Sequence, residues 1–137
     1  MAGKILLEVV TPEKQLLSQE VDEVIAPGSE GEFGVLPGHC HFLSTLRIGE
    51  LRYRVGDRTN HMAILWGYAE VTPNKVTVMA EIAEKADDID VERAQAALAR
   101  AEQRLKAGGL PSEVKEAEIS LEKARLRMKL AQRAKKS

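Results

Sequence analysis

A chain of 137 residues, 44% hydrophobic and 30% charged, fits one ordinary domain or a small domain with an appendage. Its formal net charge of −1 conceals a split: residues 1–88 carry 8 basic and 14 acidic side chains, net −6, and residues 89–137 carry 12 and 7, net +5. No apolar run approaches the ~20 residues that span a bilayer, and the single cysteine, Cys40, excludes an internal disulfide and fits a reducing compartment.

Residues 1–3 lead directly into a strand pattern, so neither a signal peptide nor an Arg-rich transit segment is expected. Over 4–11, Ile5, Leu7 and Val9 alternate with Lys4, Leu6 and Glu8, which predicts a strand ended by Pro12. Residues 15–18 suit a short partner strand, and 21–26 alternate again before Pro27 and Gly28. The segment 27–42, PGSEGEFGVLPGHCHF, has Gly28, Gly31, Gly34 and Gly38 at spacings of three and four, with Pro27 and Pro37. It predicts tight turns or bulges and close backbone approach. It is no phosphate loop, because G-x-G-x-x-G and GK[ST] are missing and Glu30 and Glu32 would repel a phosphate. Glu30, Glu32 and Phe33 on a turn tip suit a contact for another protein; a plain pair of β-turns fits the composition equally.

His39, Cys40 and His41 are metal-ligating types, but three consecutive residues on extended chain point alternately and lack a closing ligand, so no metal is expected. Short strands follow at 43–48, 50–55, 59–64, 67–72 and 75–83, punctuated by Gly49, Gly56–Asp57, Gly67 and Pro73–Asn74. Spacing of about ten residues argues for an antiparallel sandwich or barrel, with Trp66 and Tyr68 expected in or beside its core.

The rhythm changes across 84–94. Val76, Val78 and Ala80 recur every second position, whereas Val91, Ala94, Leu98, Ala101 and Leu105 recur three and four apart, the period of an amphipathic helix. Asp90 is placed as its N-cap, and Gly108, Gly109 and Pro111 end it near Lys106. Ser112 is expected to cap a second helix, running to about Ala134, with the seam Val114, Ala117, Leu121, Ala124, Met128 and Ala131. Matching seams predict an antiparallel hairpin, weakly stabilised because alanines bury little area. Ile119, Leu126 and Leu130 form a second stripe needing another surface, so the hairpin is a candidate for movement. Lys123, Arg125, Arg127, Lys129, Arg133, Lys135 and Lys136 follow with no acid after Glu122. They read either as a solvated helix end complementing the macrodipole or as a docking surface for an acidic partner. Nucleic acid is not expected, because no aromatic lies among these charges to stack on bases. The fold class is thus β + α: an N-terminal antiparallel β-sandwich (1–86) followed by a C-terminal antiparallel two-helix hairpin (87–137).

GSEGEFGVLPGH (28–39), GYAEVTPNKVTV (67–78), ADDID (86–90) and the two-helix C-terminus, in this order and spacing, resemble the ε-subunit family of the rotary proton-translocating (F-type) ATP synthase over nearly the whole chain. The resemblance implies a ten-stranded sandwich that binds the γ subunit and sits on the c-ring, coupling ring rotation to ATP synthesis in the catalytic head. Glu30, Gly31 and Glu32 match the family's c-ring-facing loop; Phe33, Gly34, Pro37, Gly38 and His39 match its γ-facing segment. The hairpin would fold against the sandwich or extend along γ into the α/β head and block ATP hydrolysis, its cations facing acidic segments of the catalytic subunits. The chain would be non-catalytic, need no cofactor, and associate with the membrane only through the complex, on the cytoplasmic face of a bacterial inner membrane.

Some family members bind ATP through I-D-x-x-R-A, which Ile89, Asp90, Arg93 and Ala94 match in full. Glu84, Arg100 and Arg127 match further positions of that site in type, while Lys123 stands for an arginine and loses its bidentate fork. Arg93 and Arg100, seven apart, share one helical face, and Arg127 can approach from the second helix when the hairpin is closed. ATP is therefore a possible regulatory ligand; the plain alternative makes Asp90 an N-cap and Arg93 a solvated residue. Two positions depart from the family pattern: His41 stands where proline is usual, and the helix–helix loop is Gly-Gly-Leu-Pro. A free-standing ATP-sensing switch is the rival reading. An enzyme is not supported, because no nucleophile–base or paired-carboxylate arrangement can be placed.

Overall fold

In the computed structural model, which describes residues 3–136 and side chains to 134, eight strands are followed by a 3-10 turn and two helices. The chain divides into two compact units, 1–85 and 86–137.

The first unit is a sheet folded on itself. Its strands are β1 (Ile5–Val10), β2 (Gln15–Val21), β3 (Glu23–Gly28), β4 (Gly31–Val35), β5 (Phe42–Leu46), β6 (Gly49–Val55), β7 (Arg58–Thr72) and β8 (Lys75–Lys85). They run in the order β2-β1-β8-β7-β5-β3-β4, with β6 joining β3 to β7. All pairs are antiparallel except β1 with β8, which lie parallel because the chain travels the whole unit before returning to its first strand. Alternation sets the faces as expected: Ile5, Leu7, Val9, Val76 and Val78 are fully buried, and the core adds Val24, Leu51, Tyr53, Met62 and Ile64.

The sequence splits 59–72 at Gly67, but β7 is one strand. It pairs with β6 over 58–64, with β5 over 67–71, and with β8 from Met62 to Thr72 in a constant register. Trp66 (φ 59°) and Gly67 (φ 147°) turn the corner between the two partners. Two expected strands are thereby one, and eight strands stand where the resemblance implies ten. Past the corner Ala69 and Val71 face inward, which leaves Tyr68 outside and 47% exposed. Neither Trp66 nor Tyr68 belongs to the core cluster; its aromatic members are Tyr53 and, at its margin, Phe33 and Phe42.

The expected strand over 21–26 is interrupted at Asp22. Its carboxylate accepts from Lys4 Nζ at 2.6 Å and from the Gly56 N–H at 2.7 Å, tying the β2–β3 junction to the β6–β7 turn. The Lys4 hydrogen bond, helped by Gly56 and the Arg54 charge, holds this carboxyl below its ordinary value of 3.8. A depressed carboxylate stabilises the fold above its unfolded-state pKa, and that stabilisation is lost as pH falls through the folded value. Asp22→Asn should therefore melt below the parent at neutral pH, and the gap should close as pH falls through 3.8 and lower. Thermal melts across that range check it.

In the second unit, α1 (Val91–Ala107) and α2 (Pro111–Lys136) form the hairpin. Ala94, Ala101, Ala117, Ala124 and Ala131 are 0–5% exposed, whereas Val91, Leu98, Leu105, Val114, Leu121 and Met128 are half-buried, so alanines form the floor of the seam and larger residues flank it. Gly108 (φ 70°) ends α1, its N–H reaching the Arg104 and Leu105 carbonyls. Ser112 is not the cap of α2. Pro111 takes the first helical position, and the Glu113 carboxylate accepts from the Leu110 N–H at 3.2 Å. Being longer, α2 passes the start of α1 and packs on the 3-10 turn, Ala86–Asp88. Leu130 is fully buried and Ile119 and Leu126 half-buried. The side chains of Lys135 and Lys136, the end of the cationic run, lie outside the described residues. Among the described residues no helix is long and apolar enough to cross a membrane.

Candidate docking and nucleotide sites

The glycine-rich segment is a hairpin followed by a turn. Strands β3 and β4 pair from Val24↔Val35 to Gly28↔Gly31, leaving Ser29 and Glu30 as a two-residue tip. Gly31 (φ 132°), the first residue after the tip, has a backbone conformation that L side chains rarely adopt. Gly28 cannot grow a side chain, because a Cβ there would stand 2.7 Å from the Gly31 carbonyl oxygen. Backbone bonds from Ser29 N to Thr45 O (2.9 Å) and Arg47 N to Pro27 O (3.0 Å) tie the hairpin to β5 and the turn after it.

The sequence places Glu30, Glu32 and Phe33 together on a turn tip; the structure separates them. Glu30 is exposed at the tip. Glu32 stands on β4, where Arg52 holds it through Nη1 (3.1 Å) and Nη2 (3.3 Å). Phe33 turns inward onto the core and meets Phe42 edge-on, centroids 5.0 Å apart. Gly34 is exposed and Val35 buried.

Residues 36–39 form a β-turn, with the His39 N–H on the Leu36 carbonyl at 3.2 Å. Pro37 sets its first corner and Gly38 (φ 87°) its second, the arrangement of a type II turn. The Gly38 N–H also reaches the Pro73 carbonyl at 2.7 Å, which fastens this segment to the β7–β8 turn. His39 lies 5.2 Å from the Phe42 ring and its Nδ1 is 3.0 Å from the Cys40 carbonyl; Leu36 and Leu43 nearby are 55% and 69% exposed. A separate open depression of about 470 Å³ lies at the β7 corner, walled by Val10, Pro12, Gly67, Tyr68, Met79 and Ala80.

The nucleotide candidates fall on both units. Glu84 is half-buried on β8, opposite Ala63. The others belong to the hairpin. Asp90 is the N-cap of α1, its carboxylate accepting from the Arg93 N–H at 3.1 Å. Ile89 is half-buried, Ala94 buried in the seam, and the Arg93 and Arg100 side chains exposed. Arg104 Nη2 meets Glu116 at 3.5 Å across the helices, which sets their level. Counting equal lengths from that pair puts Arg127 level with Arg93 and Lys123 about one turn short of it. Arg93 and Arg127 thus stand at one level near the start of α1, and Arg100 lies about two turns away along α1.

One polar group has no counterpart in the sequence reading. Glu50, its side chain 4% exposed, accepts from Arg52 Nη1 at 3.0 Å and pairs with His61 Nδ1 at 2.9 Å. Glu50 and Arg52 are two apart on one strand and so share a face, but nothing in the sequence says that His61 and Glu32 stand beside them.

Residues 4–86 match the ATP synthase Delta/Epsilon chain beta-sandwich domain, and residues 87–132 match the ATP synthase Delta/Epsilon chain long alpha-helix domain. The chain is 54% identical to an ATP synthase epsilon chain of Syntrophobacter fumaroxidans over 97% of its own length and 99% of the relative's. It is 55% identical to an ATP synthase epsilon chain of Citrifermentans bemidjiense, covering 98% of each. A chain in the cryo-EM structure of the Euglena gracilis mitochondrial ATP synthase superposes with a TM-score of 0.82 at 24% identity, over 96% of this chain and 83% of that one, a likeness of fold.

Proposed function

Since this chain belongs to the ATP synthase Delta/Epsilon chain family, we propose that it is a non-catalytic central-stalk subunit that couples c-ring rotation to ATP synthesis and restrains ATP hydrolysis through its hairpin. The observation that carries this reading is the match of both domains, in order, with relatives covered end to end.

In this reading the sandwich grips the γ subunit through the segment 33–39, which the bond from the Gly38 N–H to the Pro73 carbonyl holds against the β7–β8 turn, and meets the c-ring through the tip at Glu30 and Gly31. Rigidity suits a part that transmits torque. The hairpin suits the opposite task, because a seam floored by alanine buries little area per residue and exchanges partners at low cost. Extended, its cationic second helix would face acidic segments of the α/β head. Closed, Asp90, Arg93, Lys123 and Arg127 of the hairpin would offer ATP a charged site, with Arg100 at its margin. The protein would sit peripherally on the cytoplasmic face of a bacterial inner membrane, held there by the complex.

Co-purification with γ tests the reading. A stable complex in the absence of nucleotide is the expected result. If γ fails to bind while ATP strongly stabilises the free chain, the protein is instead a free-standing nucleotide switch. Linkage sets the scale, about 2.7 kcal/mol at a hundredfold excess of ATP over its dissociation constant.

A further inference from the structure

We propose that Glu32, Arg52, Glu50 and His61 form a latch that holds the β3–β4 hairpin in place, making Arg52 a positioning residue for the tip that carries Glu30. Backbone bonds hold this hairpin along β3 but not along the outer edge of β4. β3 pairs with β6 at Glu23, Val24 and Ile25 and, towards the tip, is tied to β5 and the turn after it through Pro27, Gly28 and Ser29, while β4 lies at the end of the sheet order with one edge unpaired. Arg52 connects β4 to β6, with which β4 shares no ladder. Its side chain reaches over β3 and grips the Glu32 carboxylate with both terminal nitrogens, at 3.1 and 3.3 Å.

Such a fork restricts orientation as well as distance, but only when the guanidinium itself is held. Glu50 does this, accepting from the same Nη1 at 3.0 Å. A carboxyl group 4% exposed needs polar partners for both oxygens, and His61 Nδ1 lies 2.9 Å from the one that Arg52 does not hold. The four side chains bridge β4, β6 and β7, so the edge strand is referred to the middle of the sheet. The latch also divides the labour of two acids that look equivalent in sequence. Glu32 is engaged internally, whereas Glu30 has no ion pair among the described residues and faces outward from the tip.

Amide hydrogen exchange of the free, full-length chain tests the latch. Glu32→Gln and Arg52→Gln should each speed exchange over 26–33 about tenfold, while amides of β6 and β7 keep their protection. The double variant should exchange no faster than the quicker single one, since both remove the same connection. Arg52→Lys, which keeps the charge but not the fork, should fall between parent and Arg52→Gln. Glu32 is exposed, so its variant remains folded and informative. Unchanged exchange in Glu32→Gln, multiplicative effects in the double variant, or equal acceleration throughout β6 and β7 would each overturn the proposal. The use of the latch rests on the docking reading above, but exchange in the free chain reports on it whether or not the tip docks.

Discussion

An ATP synthase assembled with this chain cut after Asp88 should hydrolyse ATP roughly 2- to 10-fold faster than the intact enzyme, the range if half to nine-tenths of the molecules are held blocked at any moment. Assembly should be unaffected. Every residue of the sandwich core cluster lies between Ile5 and Ala83, so the cut removes none of it. The surfaces proposed to meet γ and the c-ring, 30–39, also lie well upstream. Hydrolysis rates on purified complexes, with subunit stoichiometry measured in the same preparation, check both halves of the expectation. An unchanged rate with normal stoichiometry would remove the inhibitory role. Loss of the subunit from the complex would mean that the hairpin holds it in place.

Gly67→Ala should be the most damaging small substitution in the sandwich, costing roughly 3 kcal/mol or more. Gly67 has φ 147°, a conformation that L side chains rarely adopt, and an added Cβ would meet the Met79 carbonyl oxygen at 2.1 Å and Ala80 Cα at 2.8 Å. Both obstacles are backbone of β8, which pairs with β7 on each side of the corner and cannot retreat without opening that ladder. Gly56→Ala is the control. It too has positive φ (62°), but nothing lies within 4 Å of its Cβ position, so only the conformational cost of about 1 kcal/mol remains. Denaturant unfolding of the two variants should separate steric from conformational strain. Equal losses would show that the corner gives way.

The acidic tip illustrates how far local pattern reaches. Gly28 and Gly31 flanking Ser29–Glu30 announce a tight reversal, and the structure has one. Yet Glu32 and Phe33, read as tip residues, are on a strand, one tied to Arg52 and the other packed in the core margin. Gly67 misleads in the same way. A glycine between two alternating runs reads as a break, but a break and a bend differ only in whether the neighbouring strand continues alongside. At the start of α2, Ser112 is a good cap by type; Pro111 preceding it and Glu113 reaching back to Leu110 shift the helix start upstream.

What the sequence determined by itself are the properties carried by near neighbours in the chain. Period-two alternation through Val9 and Val78, the three-four spacing after Val91, Asp90 as a cap and Gly108 as a stop each depend on a few consecutive residues, and all appear in the fold. Only the tertiary structure decided the parallel β1–β8 pairing, the corner at Trp66–Gly67, the Asp22 clamp and the Glu32–Arg52–Glu50–His61 chain. The reason is physical. A backbone period says which face a side chain occupies, but strand order and register say which distant side chain stands opposite, and those are settled by how the whole sheet closes over its core.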